Sequence, residues 1–302
     1  MAYNIRTAYI MIKSRGEKIF SLFNYILMTI FALMFIYPMW DVVRVSISSS
    51  AEVGRMGFRI WPSELSSIGY RFVLANEYIW SGYRNTFIRI VIGVTISMVL
   101  MILCAFPLAK RDLPFRTPIT MFIVFTMFFS GGLIPNYILI RSLGMYDTIW
   151  ALVLPGAIPT FSMLIMRNFF LSLPVELEDS ARIDGAGYTR TVISIVLPLS
   201  TAMLATLALW SIVGHWNAWF DNLLYIKDGR DYGLQAILRK IIIDAAPAYS
   251  PDRVPGEEVM ILPSAEVTKC ATIIVSTLPI LCFYPFVQKY FVKGIMIGGL
   301  KG

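Results

Sequence analysis

Little in this 302-residue sequence is equipped for bond-making chemistry, and the residues that stand out are gathered in one short stretch. His215 is the only histidine. A histidine serves as a general base when a nucleophile and an orienting group lie within hydrogen-bond reach. No Ser or Cys stands in a nucleophile motif near it, so a packing role is expected. Cys104, Cys270 and Cys282 lack CxxC spacing and read as small apolar side chains, and no metal-ligand cluster is written in the sequence. The phosphate-cradling pattern GxxxxGK[ST] is missing as well, so nucleotide chemistry is expected to come from elsewhere. What remains is an acidic cluster, Glu176, Glu178, Asp179 and Asp184, interleaved with Leu177, Ser180 and Ala181 and closed by Gly185 and Gly187. Pro174 suits the first position of a helix, and acids in the first turn complement the positive end of its dipole. Small side chains at 180 and 181 would let another protein surface approach the backbone. Taken alone, the segment fits a docking helix or an ordinary amphipathic connector.

The elements that must hold this segment are membrane spans. Hydrophobic residues make up 57% of the chain and charged residues 15%, against about 25% charged in ordinary soluble domains. Six runs contain no Asp, Glu, Lys or Arg: Ile19–Trp40, Ile90–Ala109, Thr117–Ile140, Thr148–Met166, Thr191–Gly214 and Cys270–Gln288. About 20 apolar residues cross the hydrocarbon as a helix, so an all-α integral membrane protein with six transmembrane helices is predicted. The first run is too long, and too far from a small-residue cleavage site, for a signal peptide.

The net charge of +7 is placed as topology rather than as a nucleic-acid patch. Arg6, Lys13, Arg15 and Lys18 precede the first run, Lys110, Arg111 and Arg116 follow the second, and Lys289, Lys293 and Lys301 follow the last. Short cytoplasmic segments are enriched in Lys and Arg, which puts both termini on the cytoplasmic side. One membrane domain, 1–302, is expected, with a cytoplasmic loop at about 167–190 and a large external loop at about 215–269. Asp244–Pro263, rich in Pro and charge, is expected to be irregular surface structure. Pro107, Pro135, Pro155, Pro159, Pro198, Pro279 and Pro285 fall within the runs, and Ser130-Gly131-Gly132 with Pro135-Asn136 is the most disrupted site.

The 179–198 segment resembles the signature of ABC import permeases: Glu-Ala-Ala, three residues, Gly, nine residues, Ile-x-Leu-Pro. Here Asp179-Ser180-Ala181 precedes Gly185 and then Ile195-Val196-Leu197-Pro198 at the same spacing, with Asp for Glu and Ser for Ala. Further stretches, Ser130–Asn136, Leu143–Thr148, Leu154–Gly156, His215–Phe220 and Lys293–Gly302, are similar to the MalG-type carbohydrate branch, in the LplC/YtcP-like group. Members of that branch handle oligosaccharides, including uronate oligomers such as alginate.

The resemblance implies a type I importer fold whose short cytoplasmic coupling helix, through Glu178, Asp179, Ser180, Ala181, Asp184 and Gly185, docks on a separate ATPase. It implies a second, different permease subunit, two ATP-binding subunits carrying ATP and Mg, and a periplasmic or surface-anchored solute-binding protein. No cofactor is implied on this chain. The tail Lys293–Gly302 is expected to reach the ATPase pair. For the sugar path, Asn136, Tyr137, Trp216, Asn217 and Trp219 offer the amides and aromatic rings that oligosaccharides use, although Trp and Tyr also anchor helices at membrane interfaces. Arg84, Arg89 and Arg141 are the cations available for a uronate. The alternatives are an ABC permease for a non-sugar solute, a self-sufficient secondary carrier and a membrane enzyme. The last two call for ionisable groups within the bilayer, and the six runs contain no carboxylate and no histidine.

Overall fold

The computed structural model describes residues 15–53, 60–244 and 263–299, with backbone alone at Asp244 and beyond Cys282. The regular structure of the described residues is helical apart from one isolated antiparallel bridge between Ser48 and Leu65. The principal helices are α1 (Arg15–Ser46), α2 (Ile68–Leu74), α3 (Glu77–Ala109), α4 (Arg116–Phe128) and α5 (Leu133–Ser142). They continue with α6 (Ile149–Val153), α7 (Thr160–Leu171), α8 (Val175–Ile183), α9 (Tyr188–Leu199) and α10 (Thr201–Asn217). The last are α11 (Phe220–Tyr225), α12 (Leu234–Asp244) and α13 (Ala265–Gly299).

Three helices, α1, α3 and α13 over Ala265–Cys282, are long and apolar enough to cross a membrane, and two bent pairs raise the number to as many as five. None of the apolar window of α1 is buried within the chain. A helix that is apolar all round and uncovered by its own protein is matched to hydrocarbon. At the centre, α3 packs on α7, α10 and α12, while α13 packs on α1, α2, α10 and α12.

The sequence predicts six uninterrupted runs, and the structure interrupts three of them. The third is bent by 112° between α4 and α5. The cause is local: Gly132 holds φ +88 and ψ 176, a conformation essentially closed to side-chain-bearing residues. The fourth is divided into α6 and α7 at Leu154–Pro159, where Pro155 and Pro159 each remove a helical donor. The fifth bends by 83° between α9 and α10. Pro198 leaves the Ser194 carbonyl without its i+4 partner, and the preceding turn widens to a π-helix over Val192–Val196. Ser200 then anchors the corner, its Oγ donating to the Val196 carbonyl at 2.6 Å.

The charged ends of the spans also extend further into helix than the runs do. Glu77–Arg89, which precedes the second charge-free run, forms the first turns of α3, and the region 215–269 contains α11, α12 and the start of α13. Residues 245–262, most of the stretch expected to be irregular, lie outside the described residues, as do Arg6 and Lys13. The tail from Lys293 continues α13 to Gly299, but its side chains and its last three residues also lie outside them.

Two buried clusters mark the two ends of α3. One joins Met101, Ala105 and Phe106 of α3 to Met163, Met166 and Phe170 of α7 and to Val196 and Leu207. The other joins Ile79 of α3 to Val73, Leu234, Ile237 and Ala271.

Candidate functional site

The acidic segment forms α8, with Pro174 one position earlier than expected, at the N-cap, and Glu176 and Glu178 in the first turn. Its end is a complete Schellman motif. The Ala186 amide donates to the Ala181 carbonyl at 2.8 Å, the Gly185 amide donates to the Arg182 carbonyl at 3.0 Å, and Gly185 lies at φ +76. That left-handed geometry turns the chain directly into α9. A residue with a Cβ would find open space at 185 but would meet the backbone penalty, roughly 1–2 kcal/mol.

The structure divides the predicted docking residues between two directions. Asp179, Ser180, Asp184 and Gly185 are exposed. Ala181 is buried and faces its own chain, lining a groove of about 530 Å³ between α8 and α9 with Leu177, Thr191, Ile195 and Pro198, a groove that the exposed Ser180 and Asp184 also border. Glu178 also turns inward, where it forms an ion pair with Lys110 at the end of α3. The Lys110 ammonium lies 4.1 Å from the centre of the Phe106 ring. One charged contact therefore ties α8 to α3. Sequence reasoning missed Ile183, 87% exposed, because the helical spacing was read from the Leu177–Ala181 side. It is an apolar knob next to Asp184 and Arg182 and one turn from Asp179.

At the other end of the α3 apolar stretch, Arg89 is only 5% exposed. Its Nη1 donates to Asp221 at 3.1 Å and Nη2 pairs with the second carboxylate oxygen. Nη2 also donates to the Leu152 carbonyl at 3.0 Å, and Nε donates to Nδ1 of His215 at 3.3 Å. Since Nδ1 accepts, the proton of a neutral His215 resides on Nε2. The ring packs on Gly93, where an added Cβ would come within 2.4 Å of Nε2. His215 is thus occupied in packing and hydrogen bonding. Arg89 is occupied too, which removes it from the cations available for a uronate. Beside this cluster, buried Asn222 accepts from the Gly233 amide at 2.9 Å, and Thr86 Oγ1 accepts from the Leu234 amide at 2.8 Å. Both bonds fix the start of α12.

The substrate-path residues separate as well. Tyr137 stacks on Tyr225 with ring centres 6.2 Å apart and meets Tyr146 edge-on, so its ring is engaged in packing, while Asn136 beside it is exposed. Trp216 turns inward against Tyr83, at 6.4 Å between ring centres. Asn217 and Trp219 line a groove of about 490 Å³ with Gln235 and Arg239 of α12 and Ser276 and Thr277 of α13. The Arg239 guanidinium stacks over the Trp219 ring, 3.7 Å from its centre. Arg239 was not singled out in the sequence. The usable signal was the amphipathic spacing of Leu234, Ile237 and Leu238, which buries one side of α12 and leaves Arg239 exposed.

No family model matches the chain. Among curated proteins it is 36% identical over 286 residues to the polygalacturonan/rhamnogalacturonan transport system permease protein YtcP of Bacillus subtilis, covering 95% of this chain and 99% of that one. It is 36% identical over 290 residues to protein LplC of the same organism, covering 96% and 97%. Among solved structures, it matches a chain of a bacterial ABC transporter involved in the import of the acidic polysaccharide alginate. That match has a TM-score of 0.84 at 32% identity and covers 92% of this chain and 99% of the other.

Proposed function

The chain belongs to the permease subunits of bacterial ABC carbohydrate importers, and from that premise we propose that it carries an acidic oligosaccharide across the inner membrane, driven through α8 by a separate ATPase. The permease itself is a non-catalytic transport subunit. The substrate class draws on relatives whose names specify polygalacturonan, rhamnogalacturonan and alginate.

In this reading the chain spans the membrane six times, with both termini and the 167–190 segment in the cytoplasm. The broken runs then count as single spans kinked where helices line the path. A second permease subunit sits beside it, two ATPase subunits bind ATP and Mg below, and a solute-binding protein delivers sugar from outside. Asp179, Ser180, Asp184 and the Ile183 knob meet the ATPase. Glu178, Ala181 and Gly185 act behind them, fixing α8 to α3 and to α9. A rotation of the ATPase pair would then move the transmembrane helices as rigid bodies, a population shift driven by differential binding.

The observation that carries this is an exposed helix held at both ends by geometry, a Schellman turn on one side and the Lys110 pair on the other. The test places a photo-crosslinking amino acid at Ile183 in the native host. Capture of an ATP-binding subunit is expected. Capture of lipid alone, from a chain that still co-purifies with its partners, would place α8 at the membrane surface and remove the coupling assignment.

A further inference from the structure

A groove between α12 and α13 combines an aliphatic side, Leu238, Ile242, Ile243 and Ile273, with a cation, two amides and hydroxyls. Its floor is Trp219, its walls are α12 and α13, and its volume of about 490 Å³ falls within the range that holds a small ligand. Among the described residues Arg239 makes no ion pair, in contrast to Arg89, whose guanidinium is engaged by Asp221. Stacking on Trp219 leaves its N–H edge free. A guanidinium fixed by its face presents two parallel donors to a carboxylate, and less side-chain freedom remains to be lost on binding. Asn217 and Gln235 add amides that can both donate to and accept from hydroxyls, and Thr277 adds a hydroxyl. A cation over an aromatic ring, bordered by amides and a hydroxyl, matches a sugar bearing a carboxylate.

We propose that Arg239, held on Trp219, is the carboxylate-recognising residue of a subsite for uronate sugars, bordered by Asn217, Gln235 and Thr277. The inference rests on the transport reading above and adds to it the residue that discriminates acidic from neutral substrate. Bidentate binding draws selectivity from charge and geometry together. Removing the guanidinium therefore weakens the acidic ligand and leaves its neutral counterpart nearly unaffected.

The experiment uses the full complex in proteoliposomes, with trigalacturonate and its carboxyl-reduced trisaccharide as paired probes. Wild type is expected to favour the acid by at least tenfold in half-saturating concentration, and R239Q to bring the two within about twofold. Equal preference in R239Q and wild type overturns the subsite. A fall of both probes by the same factor marks a structural fault and overturns it too. If wild type imports neither probe while its partners are all present, it is the transport reading that fails. A second measurement does not depend on removing the arginine. A T277C thiol, followed by mass spectrometry at that position, should be protected from maleimide by trigalacturonate and not by the reduced sugar. Labelling that ignores the sugar but slows with added anionic phospholipid would assign the groove to a lipid headgroup and overturn the proposal.

Discussion

The apolar stretch of α3 is bounded by a cation at each end, Arg89 and Lys110, and the two are built into the protein in different ways. Arg89 reaches three other elements, the α6 carbonyl of Leu152, His215 of α10 and Asp221 of α11. Lys110 has a single carboxylate partner, Glu178, on a helix whose remaining polar face is exposed. With 1.5 Å of rise per residue, the two cations are separated by roughly 30 Å of helix. One end is a closed framework whose polar groups satisfy each other. On the proposed reading the other is a lever, joined to α3 at one charged point and exposed along most of its polar face. If α8 transmits motion as proposed, the closed end supplies the fixed part against which its displacement is felt.

The largest effect should come from opening the framework. Asp221→Ala would leave Arg89 buried without its carboxylate, and breaking such a pair costs about 3–5 kcal/mol. Asp221 retains 28% side-chain exposure, so the lower end, about 3 kcal/mol, is expected. The thermal unfolding midpoint of the detergent-purified complex should fall by several degrees. An unchanged midpoint would mean that both ends of α3 are equally loose.

The lever should respond differently to substitution at its turn. Proline at 185 cannot adopt φ +76, so Gly185→Pro is expected to abolish uptake while the protein remains in the membrane. Gly185→Ala meets only the left-handed penalty, roughly 1–2 kcal/mol, because the space around 185 is open. Graded loss, mild for alanine and complete for proline, would tie transport to the direction in which α8 leaves the turn. Wild-type uptake by the proline variant would end the coupling assignment.

The sequence made the lever legible and left the framework obscure, for a physical reason. The elements of α8, a proline start, first-turn acids and a glycine stop, act within a few residues of one another, so their spacing carries the geometry. The contacts of Arg89 join positions 89, 152, 215 and 221, and nothing local distinguishes an arginine buried against Asp221 from one facing a sugar. Trp216 and Trp219 show the same limit, since both follow one span but one turns inward and the other carries Arg239. Charge-free runs located the apolar segments, and the Gly131-Gly132 pair and the prolines marked where they break, but the bend angles, set by backbone geometry at Gly132 and Ser200, were not legible.

The smallest effect, and the finest probe of the contrast, is at the tether. The Lys110 and Glu178 side chains are 17% and 16% exposed, so their pair should exceed the weak contribution of a surface pair while remaining below that of the Arg89 cluster. Glu178→Gln keeps the shape and removes the charge, at about 1 kcal/mol, which is about fivefold in a two-state ratio. Stability should fall by no more than that amount, and sugar imported per ATP hydrolysed by up to the same factor. Exchanging the charges in the K110E/E178K double variant should restore much of the loss if the pair acts as a tether between α3 and α8. If the exchange restores nothing, Glu178 must act on a group outside this pair, and α8 would be held to the bundle by its Schellman turn alone.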